Sequence, residues 1–270
     1  MADQLTASRD GAAGHDAPRL TVRLDSFPHG GLAAVFGATG GIGAALGAAL
    51  TDSGRFDRVL GFSRCGDLSF DLTDEASVAT AAETLATCGD IRLVILATGM
   101  LHEGTALPEK SWRELDAERL ARAFAINAIG PALLLKHLLP RLPRTGKAMV
   151  AALSARVGSI GDNRLGGWYG YRASKAALNQ LVHCAAIELA RRAPEAVCVA
   201  LHPGTVATRL SAPFAATSGV APVEAARHAG PVVRRPCRGC GARPTCRPRS
   251  APPAAALSHG GANGRATGTR

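Results

Sequence analysis

The sequence predicts a doubly wound, parallel α/β sheet in one domain. Short apolar runs alternate with longer helical segments from Leu32 onward, and the first run opens directly into a glycine-rich turn. The run at residues 91–97 (IRLVILA) is apolar at nearly every position, as a strand covered on both faces must be. Sheets of this kind bind ligands beyond the carboxyl ends of their strands, where the strand order reverses.

Taken in order, residues 32–36 (LAAVF) form the first strand, and a helix follows over 41–52, with Gly54 suited to ending it. Residues 58–63 (RVLGFS) form the second strand, and Thr73 or Asp74 caps a helix running to about Ala86. After the strand at 91–97, a helix over 116–139 carries Leu120, Phe124, Leu133, Leu134 and Leu138 and stops before Pro140. Residues 147–153 (KAMVAAL), a helix over 171–192 and a strand at 197–202 (VCVALH) complete the pattern.

Outside this region the pattern fails. Residues 1–30 are polar and aperiodic and read as a disordered leader, 31–214 as the catalytic domain, and 215–270, rich in Arg, Pro and Ala, as a disordered tail. The formal charge of +10 lies mostly in that tail, which holds nine Arg and one acid, Glu224; the other 214 residues carry 22 Lys and Arg against 20 Asp and Glu. A nearly neutral body predicts no specific nucleic-acid partner. No apolar run long enough to span a bilayer and no secretory leader are evident, so membrane insertion and secretion are not expected. Unpaired cysteine spacing predicts a reduced, cytoplasmic protein. Cys237, Cys240 and Cys246 with His228 lack the paired spacing of a zinc site, and no metal is expected.

The first strand runs into Gly37-Ala38-Thr39-Gly40-Gly41-Ile42-Gly43 and then a helix, so backbone can approach a pyrophosphate at the helix N-terminus. An acid at the end of the second strand would bind a ribose 2′-hydroxyl, but the positions there read Ser63 and Arg64. A guanidinium suits a 2′-phosphate, so NADP(H) is preferred and NAD(H) remains the alternative. Tyr171 and Lys175 stand four apart, one above the other on a helical face. The ammonium is expected to lower the pKa of the phenol and bring proton transfer within range of neutral pH.

These motifs, with Asp71-Leu72-Thr73, Ala97-Thr98-Gly99, Asn127 and Pro203-Gly204, resemble in content and order the short-chain dehydrogenase/reductase family. Residues 154–181 further resemble its carbonyl-reductase branch, which includes the sniffer proteins and the bacterial C-factor signalling proteins; the likeness is expected over 32–214. The resemblance implies a Rossmann-like fold, with Tyr171 as general acid/base and Lys175 also holding the nicotinamide ribose. Asn127 would support a proton relay, and a serine would polarise the carbonyl of a small carbonyl or alcohol substrate. Asp71 and Leu72 would border the adenine, Ala97, Thr98 and Gly99 the nucleotide cleft, and Pro203, Gly204, Thr205 and Val206 the nicotinamide. Family members self-associate through helices matching 116–139 and 171–192, which implies a homo-oligomer.

Three positions depart from the family pattern. The usual second, catalytic serine is Ala155 here, leaving Ser154, or Ser159 in the next loop, as the polarising group. Gly37, Gly40 and Gly43 also match the spacing of extended family members, and Phe36 replaces the usual Thr. Beyond the Pro-Gly turn the expected helix, final strand and substrate lid give way to Arg- and Pro-rich sequence, as a shifted reading frame would produce, so that strand and lid are expected to be missing or replaced.

Overall fold

Strand β1 (Leu32–Phe36) is buried at all five positions and lies inside the sheet. The computed structural model describes residues 24–104 and 106–214 and the backbone of 223–224, all within a unit spanning Met1–Val233; a second unit, Arg234–Arg270, lies outside the described residues. The expectations for residues 1–23, for most of the tail, and for its cysteines and reading frame therefore fall outside them.

Helix α1 (Gly41–Asp52) leads to β2 (Arg58–Phe62), α2 (Glu75–Thr87) to β3 (Ile91–Leu96), α3 (Ala117–Phe124) and α4 (Gly130–Leu138) to β4 (Ala148–Leu153), and α5 (Tyr169–Arg192) to β5 (Ala196–Leu201). All pairings are parallel, in the order β2-β1-β3-β4-β5. The chain moves outward from β1 to β2, then returns to place β3 on β1's other edge. The carboxyl ends of β1 and β3 therefore flank the reversal point, where such sheets hold ligands. Among the described residues β5 is an edge strand, and β6 (Val206–Ala207) pairs separately with β7 (Val223–Glu224).

The two-residue period of β1 divides the core. Leu32, Ala34 and Phe36 face α2, α4 and α5 through Val78, Leu85, Leu134 and Leu178, with Phe36 stacked on Phe62 at 4.5 Å. Ala33 and Val35 face the other way, onto Leu50 of α1, Phe56 and Phe27. Helix starts follow from capping: Asp74 accepts from Ala76 N at 3.0 Å and Asp116 from Arg119 N at 2.8 Å.

Three expectations need correction. Residues 24–30 belong to the packed domain, because Phe27 is 5% exposed, sits edge-on to Phe56 at 5.8 Å and lies under the Lys147 ammonium. One aromatic anchors a stretch that has no apolar period to reveal it. The helix expected over 116–139 is interrupted by a π turn at Ala125–Ile129, whose extra residue brings Asn127 fully inside. The continuous run Ala117–Arg141 is also long and apolar enough to cross a membrane, contrary to the reading that no stretch approaches that length. Here its apolar side packs on α2 and α5, which is how the core helix of a layered fold meets the same criterion.

Phe27→Ala is expected to destabilise the protein by about 3–5 kcal/mol, the cost of emptying a buried aromatic site. A urea midpoint that falls with unchanged slope checks this, and an unchanged midpoint would return residues 24–30 to the leader.

Candidate active site

The glycine turn is tight because nothing larger fits. A Cβ on Gly43 would lie 2.2 Å from the Gly37 carbonyl oxygen, and one on Gly37, whose φ is +93°, 2.8 Å from the Ala97 carbonyl oxygen. β1 and β3 therefore end in backbone contact. Thr39, Gly40 and Gly41 remain exposed while Ile42 is half-buried and Gly43 buried, so the turn opens to solvent with the first turn of α1 behind it. Across from it, Thr98 Oγ1 is buried with no hydrogen-bond partner among the described residues.

Gly99 joins this edge to α5. A Cβ there would stand 3.5 Å from both Asn127 Oδ1 and Lys175 Nζ. The Asn127 amide is bonded at both ends: Oδ1 accepts from Met100 N at 2.8 Å, while Nδ2 donates to Met100 O at 2.8 Å and to Ser174 Oγ at 3.1 Å. Lys175, 3% exposed, donates to the Leu153 carbonyl at the end of β4 at 2.8 Å. Its ammonium lies 6.0 Å from the centre of the Tyr171 ring.

Burial shifts both groups. The Tyr171 phenol is pushed up to about 12 and the Lys175 ammonium down to about 8, each because its charged form loses water. The expected lowering of the phenol by Lys175 is thus not found, since desolvation outweighs the ammonium at this separation. At neutral pH the phenol carries its proton and the amine is mostly charged.

Ser154 is buried, but its hydroxyl donates to Asn179 Oδ1 at 2.6 Å. Asn179 lies eight residues beyond Tyr171, about 12 Å further along the helix. Ser159, half-buried, accepts from Asp162 N at 3.3 Å in the following loop. No hydrogen bond links either serine to Tyr171.

At the end of β2, Ser63 is buried and donates to the Cys65 carbonyl, whereas Arg64 is exposed and makes no ion pair with a described residue. Asp71 accepts from Thr73 N at 2.8 Å and Thr73 Oγ1 at 2.7 Å, and these bonds, helped by the charges of Arg122 and Arg64, hold its carboxyl below the ordinary range. Leu72 is buried against Gly130. Ala97 is half-buried at the end of β3. After β5, Pro203, Gly204 (φ +79°) and Thr205 turn the chain, Val206 is buried in β6, and Thr208 reaches Gly41, where a Cβ would meet its methyl at 2.9 Å. The Pro-Gly segment thereby returns to the glycine turn.

Sequence reading missed several neighbours. A cleft of about 400 Å³ extends from Tyr171 between Met100, His102, Glu109 and Arg119. Glu109 is buried and accepts from Gly170 N at 3.2 Å, holding the start of α5. Trp168, left-handed at φ 53°, packs at 6.3 Å from Tyr171 and 5.0 Å from Phe214. Asn179, one turn beyond Lys175, was open to detection by helical spacing; Glu109, from a remote loop, was not.

A glycine turn at the reversal point of a parallel sheet, joined through Gly99 to a Tyr-x-x-x-Lys helix, defines a class of dinucleotide-fold proteins. The chain belongs to the short-chain dehydrogenase/reductase family. The family model described as "Enoyl-(Acyl carrier protein) reductase" matches residues 39–236. The likeness therefore runs past residue 214, where it was expected to stop, and takes in the β6–β7 pair. The chain is similar to the C-signal of Myxococcus xanthus, 41% identical over 102 residues, covering 38% of this chain and 60% of that protein. It is also 32% identical over 144 residues to the 1-hydroxy-2-glutathionyl-2-methyl-3-butene dehydrogenase of Rhodococcus sp. (strain AD45), covering 53% of this chain and 60% of that one. The matches thus span less than two thirds of either relative. Among solved structures, the NADPH-bound carbonyl reductase from chicken fatty liver is 25% identical with a TM-score of 0.59, covering 68% of this chain and 80% of its own. The carbonyl reductase Sniffer of D. melanogaster, at 20% identity and a TM-score of 0.62 over 74% of this chain and 88% of its own, shares the fold.

The Lys175 shift fixes a sign for stability. Between about pH 8 and the ordinary lysine value of 10.5 the unfolded chain holds a proton that the folded chain has released, so this residue's contribution to stability rises with pH. In denaturant titrations across that window, wild type is expected to gain stability relative to Lys175→Met; a pH-independent difference would contradict the burial argument.

Proposed function

We propose that this chain transfers hydride reversibly between NADP(H) and a small carbonyl compound or alcohol, acting chiefly as a carbonyl reductase with Tyr171 as the proton donor. The carrying observation is the convergence of Gly99, Asn127, Lys175 and Tyr171 beside an open glycine turn. The carbonyl reductase from chicken fatty liver, described with NADPH bound, supports the same reading.

The residues present fit a dinucleotide. The exposed backbone of 39–41 receives a pyrophosphate, the buried Thr98 hydroxyl beside it has no partner among the described residues and is free to bond the nucleotide, and Arg64 stands ready for a 2′-phosphate. Asp71 and Leu72 border the adenine, Lys175 and the 203–206 turn the nicotinamide end. When bound, the reduced nicotinamide supplies hydride to the carbonyl carbon. Tyr171 holds the proton that the developing alkoxide takes, and its raised pKa keeps that proton in place at neutral pH until the alkoxide forms. Lys175 stabilises the phenolate left behind, and Asn127 fixes Met100 and Ser174 around the pair. We further propose a cytoplasmic homo-oligomer with no membrane or specific nucleic-acid partner; exposed Ile129, Leu181 and Ile187 on the outer helices support the self-association.

A second reading, nucleotide binding without turnover, is favoured by one observation: Ala155 stands where the family has its polarising serine, and the Ser154 hydroxyl is committed to Asn179. Following NADPH oxidation against a panel of ketones and aldehydes separates the two.

Tyr171→Phe is expected to lower kcat by about 100-fold or more while NADPH still binds, as loss of a general acid does; an undiminished rate refutes the assignment. Arg64→Ala is expected to weaken NADPH by about tenfold or more and leave NADH unaffected, the worth of charged hydrogen bonds to phosphate. Equal losses for both nucleotides in fluorescence titrations would remove Arg64 from cofactor choice.

A further inference from the structure

We propose that His102 is a specificity-determining residue, its Nε2 binding a second oxygen on the substrate, so that the cleft selects carbonyl compounds bearing another hydroxyl or carbonyl group. The inference deepens the carbonyl-reductase reading and rests on it.

His102 lies in the segment leaving β3 and lines the same cleft as Tyr171. Several polar neighbours in the cleft are committed: Arg119 donates to the Leu107 carbonyl, Arg122 pairs with Glu103 at 3.4 Å at the exposed rim, where Glu118 also lies, and Glu109 accepts from Gly170 N. Nε2 of His102 is instead buried with no hydrogen-bond partner among the described residues. A buried ring nitrogen left unpaired has lost water without replacement, and a ligand oxygen restores the missing bond.

The ring is also held in place. It sits edge-on to Phe214 at 6.0 Å, Phe214 packs on Trp168 at 5.0 Å, and Trp168 packs on Tyr171 at 6.3 Å. A chain of ring contacts thus runs from Tyr171 to His102 and fixes where its unpaired nitrogen stands. Sites built to hydrogen-bond a substrate oxygen reject the analogue lacking it far more strongly than apolar pockets reject an extra group.

The test compares wild type, His102→Phe and His102→Gln. Phe keeps the ring contact and removes the nitrogen, and Gln restores a polar side chain that both donates and accepts. With full-length protein and NADPH, kcat/KM is measured for a plain hexanone, the hexanediones and the hydroxyhexanones. His102→Phe is expected to lose at least about tenfold more on the oxygen-bearing ketones than on the plain one, chiefly in KM, with His102→Gln recovering most of it. Loss on diones and hydroxyketones alike identifies Nε2 as donor, and loss on hydroxyketones alone as acceptor. Equal loss on all substrates overturns the proposal.

Calorimetric titration of a hexanediol without NADPH gives a second readout. Wild type is expected to bind it at least about tenfold more tightly than His102→Phe, the worth of a buried hydrogen bond. If no ketone is turned over, the carbonyl-reductase reading fails, while equal diol affinities for the two proteins refute the role of His102.

Discussion

The side-chain amide of Asn127 is the constraint on which the site depends. It is fully buried and spends both its oxygen and its nitrogen, twice on the backbone of Met100 and once on Ser174. Those bonds tie the end of β3, the middle of a helix and the face of α5 that carries Tyr171 and Lys175. A buried amide left half-satisfied would cost more than the bonds contribute, so the three elements are held in one arrangement or the network is lost. The π turn that admits Asn127 departs from regular helix at the point where regularity would turn the amide elsewhere.

The sheet was legible because its signal is local. A five-residue apolar run bounded by glycines reads the same whatever packs on it, and all five main strands fall within a residue or so of their expected bounds. The Tyr171–Lys175 pair was legible for a similar reason, since helical spacing alone stacks them. Phe27 and the π turn were not, because each is stabilised by partners distant in sequence and leaves no period behind. The electrostatics of the pair were misread for a related reason: sequence shows that an ammonium lies one turn away, but not that burial has pushed both groups toward their neutral forms.

The serine shows the same limit in finer detail. Composition of the 154–159 segment leaves two candidates, and only the orientation of the Ser154 hydroxyl toward Asn179 distinguishes a bonded core group from one facing the phenol. The family pattern supplied the question by placing Ala155 where a hydroxyl is usual. The answer depends on a helix residue that enters no short motif.

Trp168 has a further consequence. An L-residue held at φ 53° carries a backbone cost of about 1–2 kcal/mol that glycine would avoid, and here it directly follows Gly166 and Gly167, both also at positive φ. Against that cost stand the contacts of its indole with the Tyr171 ring and with Phe214. Relaxing that single residue to ordinary dihedrals would carry the indole away from both the phenol and the Phe214 ring, so the packing at the head of α5 hinges on one backbone joint.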